Sequence, residues 1–548
     1  MNKNFKKKPF SGGNNRPKFN NGPKPSSFAK YITYDKSTID QVTLDNEGAN
    51  LELMGLIDQI AQTGGPTIFT LTDGTGSLAL KAFDGAGVRA YPELNIGDAV
   101  SVDVTIQDYQ GELEGELQKV RKLDASQKEY MLKKIAELQR EKAKVPEMNF
   151  LVKDPILDKL KDRFVKAATE IRLAIIQNRP IVIRHHNDAD GYSSGYSLER
   201  AILPLVSKQH NSIKAAWEFY TRSPIAAPMY ELEDSIRDTA KSLSNAAKFS
   251  NKMPLVLIVD TGSGEKDLLG IQQGRVHGID FIVVDHHGFD TDLISAETLV
   301  HINPFLVNET GDKFSAGMLC TELARFINQD PNLNIIQIPA MAGIADRTEN
   351  PETMKAYLKL AETKGYTKLL LGDIAGVIDF ISAKLRFMEA REYIEVLFGE
   401  PMKKQKALVE LLSPYIKKLD EKGLEIAKSA SKIEKVKDHS LQILPIETTF
   451  ARGFYPKPGR CISLLHDYQL EQKKMSKLIS IGLMNDAITI RVSEDSPFSV
   501  NEFVDFLETE LSESFPEGGG HKHAGSIRFL PSKQSDVLNV LRDYIKKL

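Results

Sequence analysis

Three short runs in the middle of the chain are apolar throughout, without polar alternation, which is typical of strands buried on both faces of a parallel sheet. They span residues 181–183, 255–259 and 281–284, and acidic or histidine residues follow each run. In an open α/β sheet, ligands bind at the carboxyl ends of the strands. We therefore expect the polar residues that follow these runs to converge at one edge of the sheet.

A different pattern precedes this region. Residues 40–123 hold four strand-like stretches, at 51–57, 67–71, 77–83 and 99–106, separated by turn signals such as Asp73-Gly74 and Asp84-Gly85. Short strands at this spacing predict a small all-β barrel. From residue 126 to residue 144 the apolar spacing becomes helical, which predicts a linker helix.

Beyond the apolar runs, residues 353–435 are predicted to be helical, and strands return at 441–446, 478–483 and 487–492 before helices at 500–512 and 535–547. The predicted fold class is α/β, with an all-β barrel in front. The predicted units are a basic tail (1–35), the barrel (40–123), a linker helix (126–150), a parallel-sheet catalytic domain (151–350), a helical connector (351–435) and a smaller α/β domain (436–548). We expect the active site in the cleft between the last domain and the catalytic one.

Composition narrows the class of protein. The chain has 548 residues, of which 41% are hydrophobic, enough for several domain cores. Its two cysteines, Cys320 and Cys461, exclude a disulfide framework and are expected to be buried thiols. No apolar run is long enough to span a membrane or to form a signal peptide, so we expect a cytoplasmic protein without a membrane partner.

Charge is distributed unevenly. The net charge is -3, yet residues 1–30 contain eight Lys or Arg and no acid, which leaves -11 on the rest of the chain. Such a segment cannot bury enough apolar surface to fold, so it is predicted to be a disordered cationic tail. A tail of this kind favours contact with a phosphate backbone that weakens as salt rises. The alternative is a solubilising or protein-docking segment.

The residues that follow the apolar runs suggest a metal site. They are His186, Asp188, Asp190, Asp260, Asp285, His286 and His287. A single aspartate at a strand end is more often a helix cap or a turn residue, but carboxylates crowded together repel one another unless a cation neutralises them. Mixed Asp and His ligands suit Mn, Fe or Zn better than Ca, and two adjacent ions suit phosphoester hydrolysis.

These residues also carry a resemblance to a known family. Its motifs are His186-x-Asp188-x-Asp190-Gly191, Asp260-Thr261-Gly262-Ser263, Asp285-His286-His287, Gly343-Ile344-Ala345-Asp346 and, near the C-terminus, Gly518-Gly519-Gly520-His521-Lys522-His523-Ala524-Gly525. In this order they resemble the DHH phosphoesterase superfamily with its associated DHHA1 domain. With the barrel, which resembles an OB fold, the chain is most similar to archaeal RecJ-like exonucleases. One departure is His186, which stands where bacterial RecJ has an acid.

The resemblance implies a ligand set. One metal would be held by His186, Asp188 and Asp260, and the other by Asp190, Asp260, His286 and Asp346, with Asp260 bridging. The implied cofactors are two divalent ions, Mn²⁺ first and Mg²⁺ as the alternative. His287 is the implied phosphate contact or proton donor, and Asp285 is expected to orient a histidine.

Further residues are candidates for substrate binding. The amides of Gly518, Gly519 and Gly520, with His521, are expected to hold a phosphate as tight glycine turns do, the alternative being a flexible turn. Arg491, at a predicted strand end, is a second phosphate candidate or else a solvent-facing side chain. His185 has no role in the motifs and is interpreted as a surface histidine or one behind the ligands.

In the barrel, base stacking on aromatic side chains is the expected mode of binding single strands. The aromatic candidates are Phe69, Phe83, Tyr91 and Tyr109, each of which is otherwise a core residue.

Three functions remain open. The leading one is a metal-dependent exonuclease on single-stranded DNA or RNA that releases mononucleotides, in replication or repair. The second is a phosphodiesterase for short oligonucleotides or cyclic dinucleotides. The third is a scaffold without catalysis in a replication or repair assembly. The expected partners are a nucleic-acid strand and, by resemblance, replication or repair proteins.

Overall fold

The structure is a computed structural model, and it describes residues 32–109, 112–210, 212–225, 227, 229–249, 251–385, 391–399 and 401–548. The basic tail predicted for residues 1–35 therefore lies outside the described residues up to residue 31. None of the helices in the described ranges combines the length and the apolar character that a membrane span requires.

The first unit is an OB-fold barrel. Its strands are β1 (Asp35–Lys36), β2 (Asn50–Gln62), β3 (Thr67–Thr72), β4 (Ser77–Ala82), β5 (Ala99–Tyr109) and β6 (Glu112–Lys122). Strand order is β1-β2-β3-β4-β6-β5, and an additional β2–β5 pairing closes the barrel around a core that includes Leu53, Phe69 and Val104. The sequence pattern missed β6, because the buried residues of this charged strand are Leu113, Gly115 and Leu117 and the others are polar or partly exposed.

The next elements form the central domain. They are α1 (Ala125–Ala143), α2 (Pro155–Ile176), β7 (Ile181–His185), α3 (Ala189–His210), α4 (Ala215–Phe219), β8 (Tyr220–Pro224), α5 (Leu232–Phe249), β9 (Leu255–Val259), α6 (Glu265–Val276), β10 (Asp280–Val284), β11 (Val300–Ile302), α7 (Ala316–Ile327) and α8 (Ile338–Ala345). The sheet is parallel in the order β11-β10-β9-β7-β8. The three predicted strands are therefore direct neighbours, and every residue of β9 is buried.

The rest of the chain supplies helices and a mixed sheet. The elements are α9 (Pro351–Glu362), α10 (Lys368–Lys384), α11 (Arg391–Leu397), α12 (Met402–Ala430), β12 (Lys432–Val436), β13 (His439–Pro445), α13 (Ile446–Thr449), α14 (Pro458–Glu471), β14 (Leu478–Leu483), β15 (Ala487–Val492), α15 (Val500–Glu510), β16 (Glu517–His521), β17 (Ala524–Arg528) and α16 (Gln534–Lys547). The last sheet has the order β12-β13-β14-β15-β17-β16, which places β16 at its edge. The predicted fold class is confirmed.

Single turns of 3₁₀ helix complete the described elements. They lie at Ile39–Gln41, Leu44–Asn46, Pro304–Val307, Gly311–Lys313, Pro331–Leu333, Ser512–Ser514 and Pro531–Lys533.

The barrel packs against the amino ends of the central strands. Asn178, three residues before β7, donates hydrogen bonds from Nδ2 to Asp58 Oδ2 (2.8 Å) and to Ser77 Oγ (2.9 Å) of the barrel. Lys252, three residues before β9, forms an ion pair with Asp58. Because these contacts lie at the opposite end of the strands from their carboxyl ends, the barrel and the predicted metal site are on opposite edges of the sheet.

This polar interface leads to a stability prediction. Asn178 is buried and has a left-handed backbone (φ 56°), so Asn178→Ala removes the hydrogen bonds and also strains the backbone. We expect it to lower the free energy of unfolding by about 2 kcal/mol more than Asn308→Ala, because buried groups on the barrel lose their partner. Asn308 has the same left-handed backbone (φ 60°) but is exposed. Equal losses for the two variants in chemical denaturation would contradict this account of the interface.

Candidate active site

Asp260 lies at the centre of the site. It follows β9 directly, is only 2% exposed and has a left-handed backbone (φ 61°), which is rare outside glycine. Its Oδ1 lies 3.4 Å from His286 Nε2 and its Oδ2 lies 3.7 Å from His186 Nδ1. Oδ2 has no hydrogen-bond partner within the described residues. A strained, buried carboxylate with an unsatisfied oxygen is costly unless a cation completes it.

One side of Asp260 faces the segment that follows β7. His186 Nδ1 is 2.7 Å from Asp188 Oδ2, and Asp188 Oδ1 accepts a hydrogen bond from the Gly191 amide (2.9 Å). Burial opposes ionisation of Asp188, but the charge and hydrogen bond of His186 outweigh it and hold the pKa of Asp188 below its usual range. Ligand atoms of His186, Asp188 and Asp260 all lie within 4.8 Å of one another.

The other side faces His286 and Asp346. His286 Nδ1 lies 3.0 Å from the Gly311 carbonyl and 3.6 Å from Asp346 Oδ2. Because a carbonyl can only accept, Nδ1 is the donor, and the lone pair of a neutral His286 is then on Nε2, which faces Asp260. Two acceptors that face each other in this way need a proton or a metal ion between them.

Asp190 is held by the start of a helix. Its carboxylate accepts hydrogen bonds from the backbone amides of Ala316 (2.9 Å) and Gly317 (3.0 Å), the first two residues of α7. Helix N-termini stabilise negative charge. Even so, burial and the neighbouring Asp346 carboxylate raise the pKa of Asp190 to about 7. Burial also raises the pKa of Asp346, and burial with the charge of Asp190 raises the pKa of Asp260 well above its usual range.

The donor set therefore fits divalent metal ions. Three features indicate uncompensated acceptor groups and negative charge in a buried site. They are the unsatisfied oxygen of Asp260, the two acceptors His286 Nε2 and Asp260 Oδ1 that face each other, and the raised pKa values of the carboxyl groups. The residues that would hold such ions are His186, Asp188, Asp190, Asp260, His286 and Asp346, which the structure brings to one edge of the sheet. Nitrogen and oxygen donors together suit Mn²⁺ or Zn²⁺ better than Ca²⁺.

Asp285 has a different role from its neighbours. It is fully buried, and its Oδ1 accepts hydrogen bonds from the amide of His286 (2.8 Å) and from the amide and Nδ1 of His287 (3.2 and 2.7 Å). Its Oδ2 accepts from the Ser263 amide (3.1 Å). Since both oxygens already accept hydrogen bonds, Asp285 is suited to orient His287, and one of its oxygens also lies within 4.8 Å of ligand atoms of Asp260 and His286.

The C-terminal domain covers this edge with a histidine. The His521 ring stacks on His287 with 4.8 Å between centroids and lies 5.2 Å from His286. Burial and the charges of these two histidines lower the pKa of His521 well below its usual value. Lys266 of α6 bridges the two domains, because its Nζ donates to the Gly518 carbonyl (2.9 Å). The expected cleft between the domains is where these rings meet.

The glycine segment is not the turn that the sequence suggested. Gly518, Gly519 and Gly520 lie in edge strand β16, paired with β17. Glycine is required here by close backbone packing, since a side chain at Gly518 would meet the Ser526 carbonyl at 2.2 Å. Both the tight-turn and the flexible-turn interpretations are wrong, because a glycine run on a sheet edge and one in a turn have the same composition.

Arg491 is half-buried on β15 rather than facing solvent. Its Nε donates to Ser463 Oγ (2.9 Å) and its Nη1 to the Ile490 carbonyl (2.8 Å). In the part of the chain that the structure describes, no carboxylate forms an ion pair with it. Burial and the charge of Arg347 lower the pKa of Arg491 to about 10. A cation whose described partners are neutral is available to bind an anion.

Two residues that sequence reasoning missed support the segment after β7. Asp379 of α10 accepts from the Ala189 amide (3.0 Å), and Lys457, before α14, donates to the Asn187 carbonyl (3.4 Å). Burial and the charge of Asp188 raise the pKa of Asp379 to about 6. Asp379 follows an apolar run, residues 374–378, but that run lies inside a helix, and Lys457 follows no predicted strand, so neither residue carried the strand-end signal used for the other site residues.

His185 lies behind the ligands. It is fully buried, and its Nδ1 is 2.8 Å from the His186 carbonyl. Burial and the charge of Arg222 lower the pKa of His185 to about 3, so this histidine is neutral. Of the two positions considered for His185, the surface one is wrong.

Comparisons with known proteins agree with this fold. The family model for the DHH family, N-terminal domain, matches residues 180–344, and the one for an OB-fold nucleic acid binding domain matches residues 51–123. An uncharacterised protein of Methanocaldococcus jannaschii is 34% identical over 541 residues, covering 93% of this chain and 70% of the relative.

Solved structures show the same likeness. One is described as the DHH domain of a member of a family of ribosomal proteins. It is 33% identical, with a TM-score of 0.73, and the match covers 78% of this chain and 100% of that one. RecJ of Thermus thermophilus, solved in complex with Mn²⁺, matches with a TM-score of 0.50 at 19% identity, over 75% of this chain and 57% of that one, which shows a shared fold.

The central domain has the fold of the DHH family, N-terminal domain. The chain belongs to the DHH family.

The raised carboxyl pKa values lead to a prediction about metal binding. Folding raises the pKa of Asp190 from 3.8 to about 7, so the stability that the protonated carboxyl contributes is lost as pH rises through that window. Below pH 7 a metal ion must displace this proton. We therefore expect Mn²⁺ binding to release more protons at pH 6 than at pH 8.5, and to tighten as pH rises. Calorimetry in buffers of different ionisation enthalpy measures the release, and equal release at both pH values would contradict the prediction.

Proposed function

We propose that this protein is a metal-dependent phosphodiesterase that acts as an exonuclease on single-stranded DNA or RNA and releases mononucleotides. The observation that carries the proposal is Asp260, whose two oxygens face different candidate ligand groups, His286 on one side and His186 on the other. A bridging carboxylate of this kind suits a pair of cations. The Mn²⁺ complex of Thermus thermophilus RecJ supports Mn²⁺ as the first choice, with Mg²⁺ as the alternative.

Bound divalent ions would supply Lewis-acid polarisation of a phosphate and a nucleophilic water at neutral pH. The protein's own groups do the rest. Asp285 accepts a hydrogen bond from His287 Nδ1, so His287 Nε2 is left to contact a phosphate oxygen or to donate a proton to the leaving group. His521 stacks against the same ring from the other domain, so a second imidazole would lie beside a phosphate bound by His287.

Arg491 would bind a neighbouring phosphate of the substrate. Its described hydrogen bonds go only to neutral oxygens, so a phosphate would satisfy a partly desolvated cation. The glycines of β16 support this subsite in a different way from the one expected. They allow the edge strand to pack closely on β17, and this holds His521 over the cleft.

The barrel is too acidic to bind a phosphate backbone by electrostatic attraction. Residues 40–123 contain fourteen Asp or Glu and only five Lys or Arg, a net charge of -9. Nucleic-acid contact on such a surface must rely on base stacking, with little counterion release. Of the four aromatic candidates, Phe69 is buried in the core and Tyr91 packs against it, whereas Phe83 (68%) and Tyr109 (54%) are exposed.

The acidic barrel favours the alternative function, hydrolysis of short oligonucleotides. A site for short oligonucleotides needs only the cleft between the two domains, and it needs no long electrostatic track. The eight Lys or Arg of residues 1–30 then decide between the two substrates, because this stretch of sequence carries cationic charge and no acidic residue. A scaffold without catalysis is disfavoured, since such a role does not require all six candidate ligands.

The first test is an activity measurement. Asp260→Asn keeps the shape of the side chain but removes its charge, so we expect Mn²⁺-dependent hydrolysis of a labelled single strand to fall below about a hundredth of the wild-type rate. Wild-type activity should be higher with Mn²⁺ than with Mg²⁺. The matched control is Asp267→Asn, a buried aspartate of the same domain that caps α6 and accepts from the Tyr230 amide. Retained activity in folded Asp260→Asn would refute the assignment, as would an equal loss in the control.

The second test separates long from short substrates. Removing residues 1–31 keeps the contacts between the barrel and the central domain, whereas removing the whole barrel would abolish them. We expect affinity for long strands to weaken and the slope of log affinity against log salt to become shallower by about 0.7 for each lost phosphate contact. Hydrolysis of dinucleotides should not change. Phe83→Ala with Tyr109→Ala should weaken binding with little effect on the salt slope. An unchanged affinity and slope after removal of the tail would instead favour the short-oligonucleotide function.

A further inference from the structure

A hydrogen-bond network that is buried except at Asp292 lies behind the Asp285-His286-His287 segment. Its members are Ser263 after β9, and Asp292, His301 and Asn303 around β11. Ser263 is 1% exposed, and His301 and Asn303 are equally buried. The network therefore connects the loops that follow three adjacent parallel strands, and its members are not candidate metal ligands.

The direction of the hydrogen bonds follows from the acidic end of the network. His301 Nδ1 lies 3.3 Å from Asp292 Oδ1 and 3.2 Å from Ser295 Oγ. A hydroxyl can accept as well as donate but a carboxylate only accepts, so the proton is assigned to Nδ1. The other ring nitrogen, Nε2, is then an acceptor, and it lies 2.9 Å from Ser263 Oγ. The Ser263 hydroxyl consequently donates to His301, which leaves its lone pairs to accept from elsewhere.

Asn303 donates a hydrogen bond to a lone pair of the Ser263 hydroxyl. Its Oδ1 accepts from the Phe305 amide (3.0 Å), which determines the orientation of the side-chain amide. Its Nδ2 donates to Ser263 Oγ (2.9 Å) and to the His287 carbonyl (3.0 Å). The Ser263 hydroxyl hydrogen and the two Asn303 amide hydrogens each have one acceptor, and the His301 Nδ1 hydrogen has two within reach, Asp292 Oδ1 and Ser295 Oγ. This relay of hydrogen bonds ends on the backbone of His287.

The same serine also reaches the side chain of His287 by a second route. The Ser263 amide donates to Asp285 Oδ2 (3.1 Å), and Asp285 Oδ1 accepts from His287 Nδ1 (2.7 Å). Both the ring and the carbonyl of His287 are thus tied to Ser263. The remaining ring nitrogen, Nε2, is free to act in the cleft where His521 stacks.

A serine, a histidine and an aspartate in this order resemble a nucleophilic triad, but the geometry excludes that role. Ser263 is buried beneath its loop and its hydroxyl donates away from the cleft. A nucleophile must reach the scissile phosphate. The side chains of the network can act on the reaction through His287, whose carbonyl accepts from Asn303.

We infer that Ser263, His301 and Asn303 are positioning residues that hold His287 in place for phosphodiester hydrolysis, an inference that rests on the proposed function. Misplacing a catalytic group by about 1 Å can cost roughly a hundredfold in rate. A positioning residue of this kind affects the chemical step and leaves substrate binding and metal binding in place, because the relay contacts none of the six candidate ligands through its side chains.

The experiment measures kcat and KM on a labelled single strand with Mn²⁺ for Ser263→Ala and Asn303→Asp. Asn303→Asp keeps the side-chain shape but removes both donors, and Ser263→Ala breaks the relay in the middle. We expect kcat to fall about tenfold for Ser263→Ala and further for Asn303→Asp, with KM within about twofold of wild type. Mn²⁺ stoichiometry, measured by calorimetry, should not change.

A matched control removes the same chemical group elsewhere. Ser235 of α5 is fully buried, and its hydroxyl donates to the Gly270 carbonyl (2.6 Å), away from the relay. Ser235→Ala should lose comparable stability but keep the wild-type kcat. If Asn303→Asp does not fold, Ser263→Ala against this control still decides the question.

A second pair tests the hydrogen bond itself. His301→Gln retains an amide oxygen that can accept a hydrogen bond from Ser263, whereas His301→Leu has no acceptor. We therefore expect a higher kcat for His301→Gln than for His301→Leu. Unchanged kcat in Ser263→Ala, a loss of Mn²⁺ binding or an equal kcat loss in Ser235→Ala would overturn the positioning role. A wild-type protein that hydrolyses no phosphodiester would instead overturn the proposed function, so the two failures are distinguishable.

Discussion

The structure depends on one electrostatic constraint, the crowding of buried carboxylates at the carboxyl edge of a parallel sheet. Burial and repulsion from neighbouring carboxylates raise the pKa values of Asp190, Asp260 and Asp346, the neighbours being Asp346 for Asp190, Asp190 for Asp260, and Asp188 for all three. Without a cation, such a group of charges costs several kcal/mol per uncompensated charge. The fold nevertheless brings the three together, which is a reason to regard the edge as built for metal ions.

Other parts of the molecule serve this edge. The first amides of α7 hold Asp190, α10 supports the segment after β7 through Asp379, and the C-terminal domain contributes His521. The barrel stands apart from this arrangement, because it packs on the amino ends of the strands and carries a net charge of -9. A single-stranded nucleic acid that contacted both the barrel and the candidate metal-binding edge would have to pass around the central domain.

Much of the candidate metal-binding edge was predictable from sequence, because a strand buried on both faces must be apolar throughout. That pattern identified β7, β9 and β10 and the polar residues at their ends. It missed β6 and β8, whose partly exposed residues are polar, and β11, which has only three residues. It also missed Asp379 and Lys457, and it misread the glycines of β16, because contacts between distant segments and strand pairing leave no local pattern.

The most direct test of the account is anomalous diffraction at the manganese edge from crystals grown with Mn²⁺. The account predicts two peaks on opposite sides of the Asp260 carboxylate, one beside His186 and Asp188, the other beside His286 and Asp346. It would be contradicted by the absence of metal at Asp260, or by a single peak held by His286, His287 and His521, the neighbouring histidine group that also has metal-binding spacing.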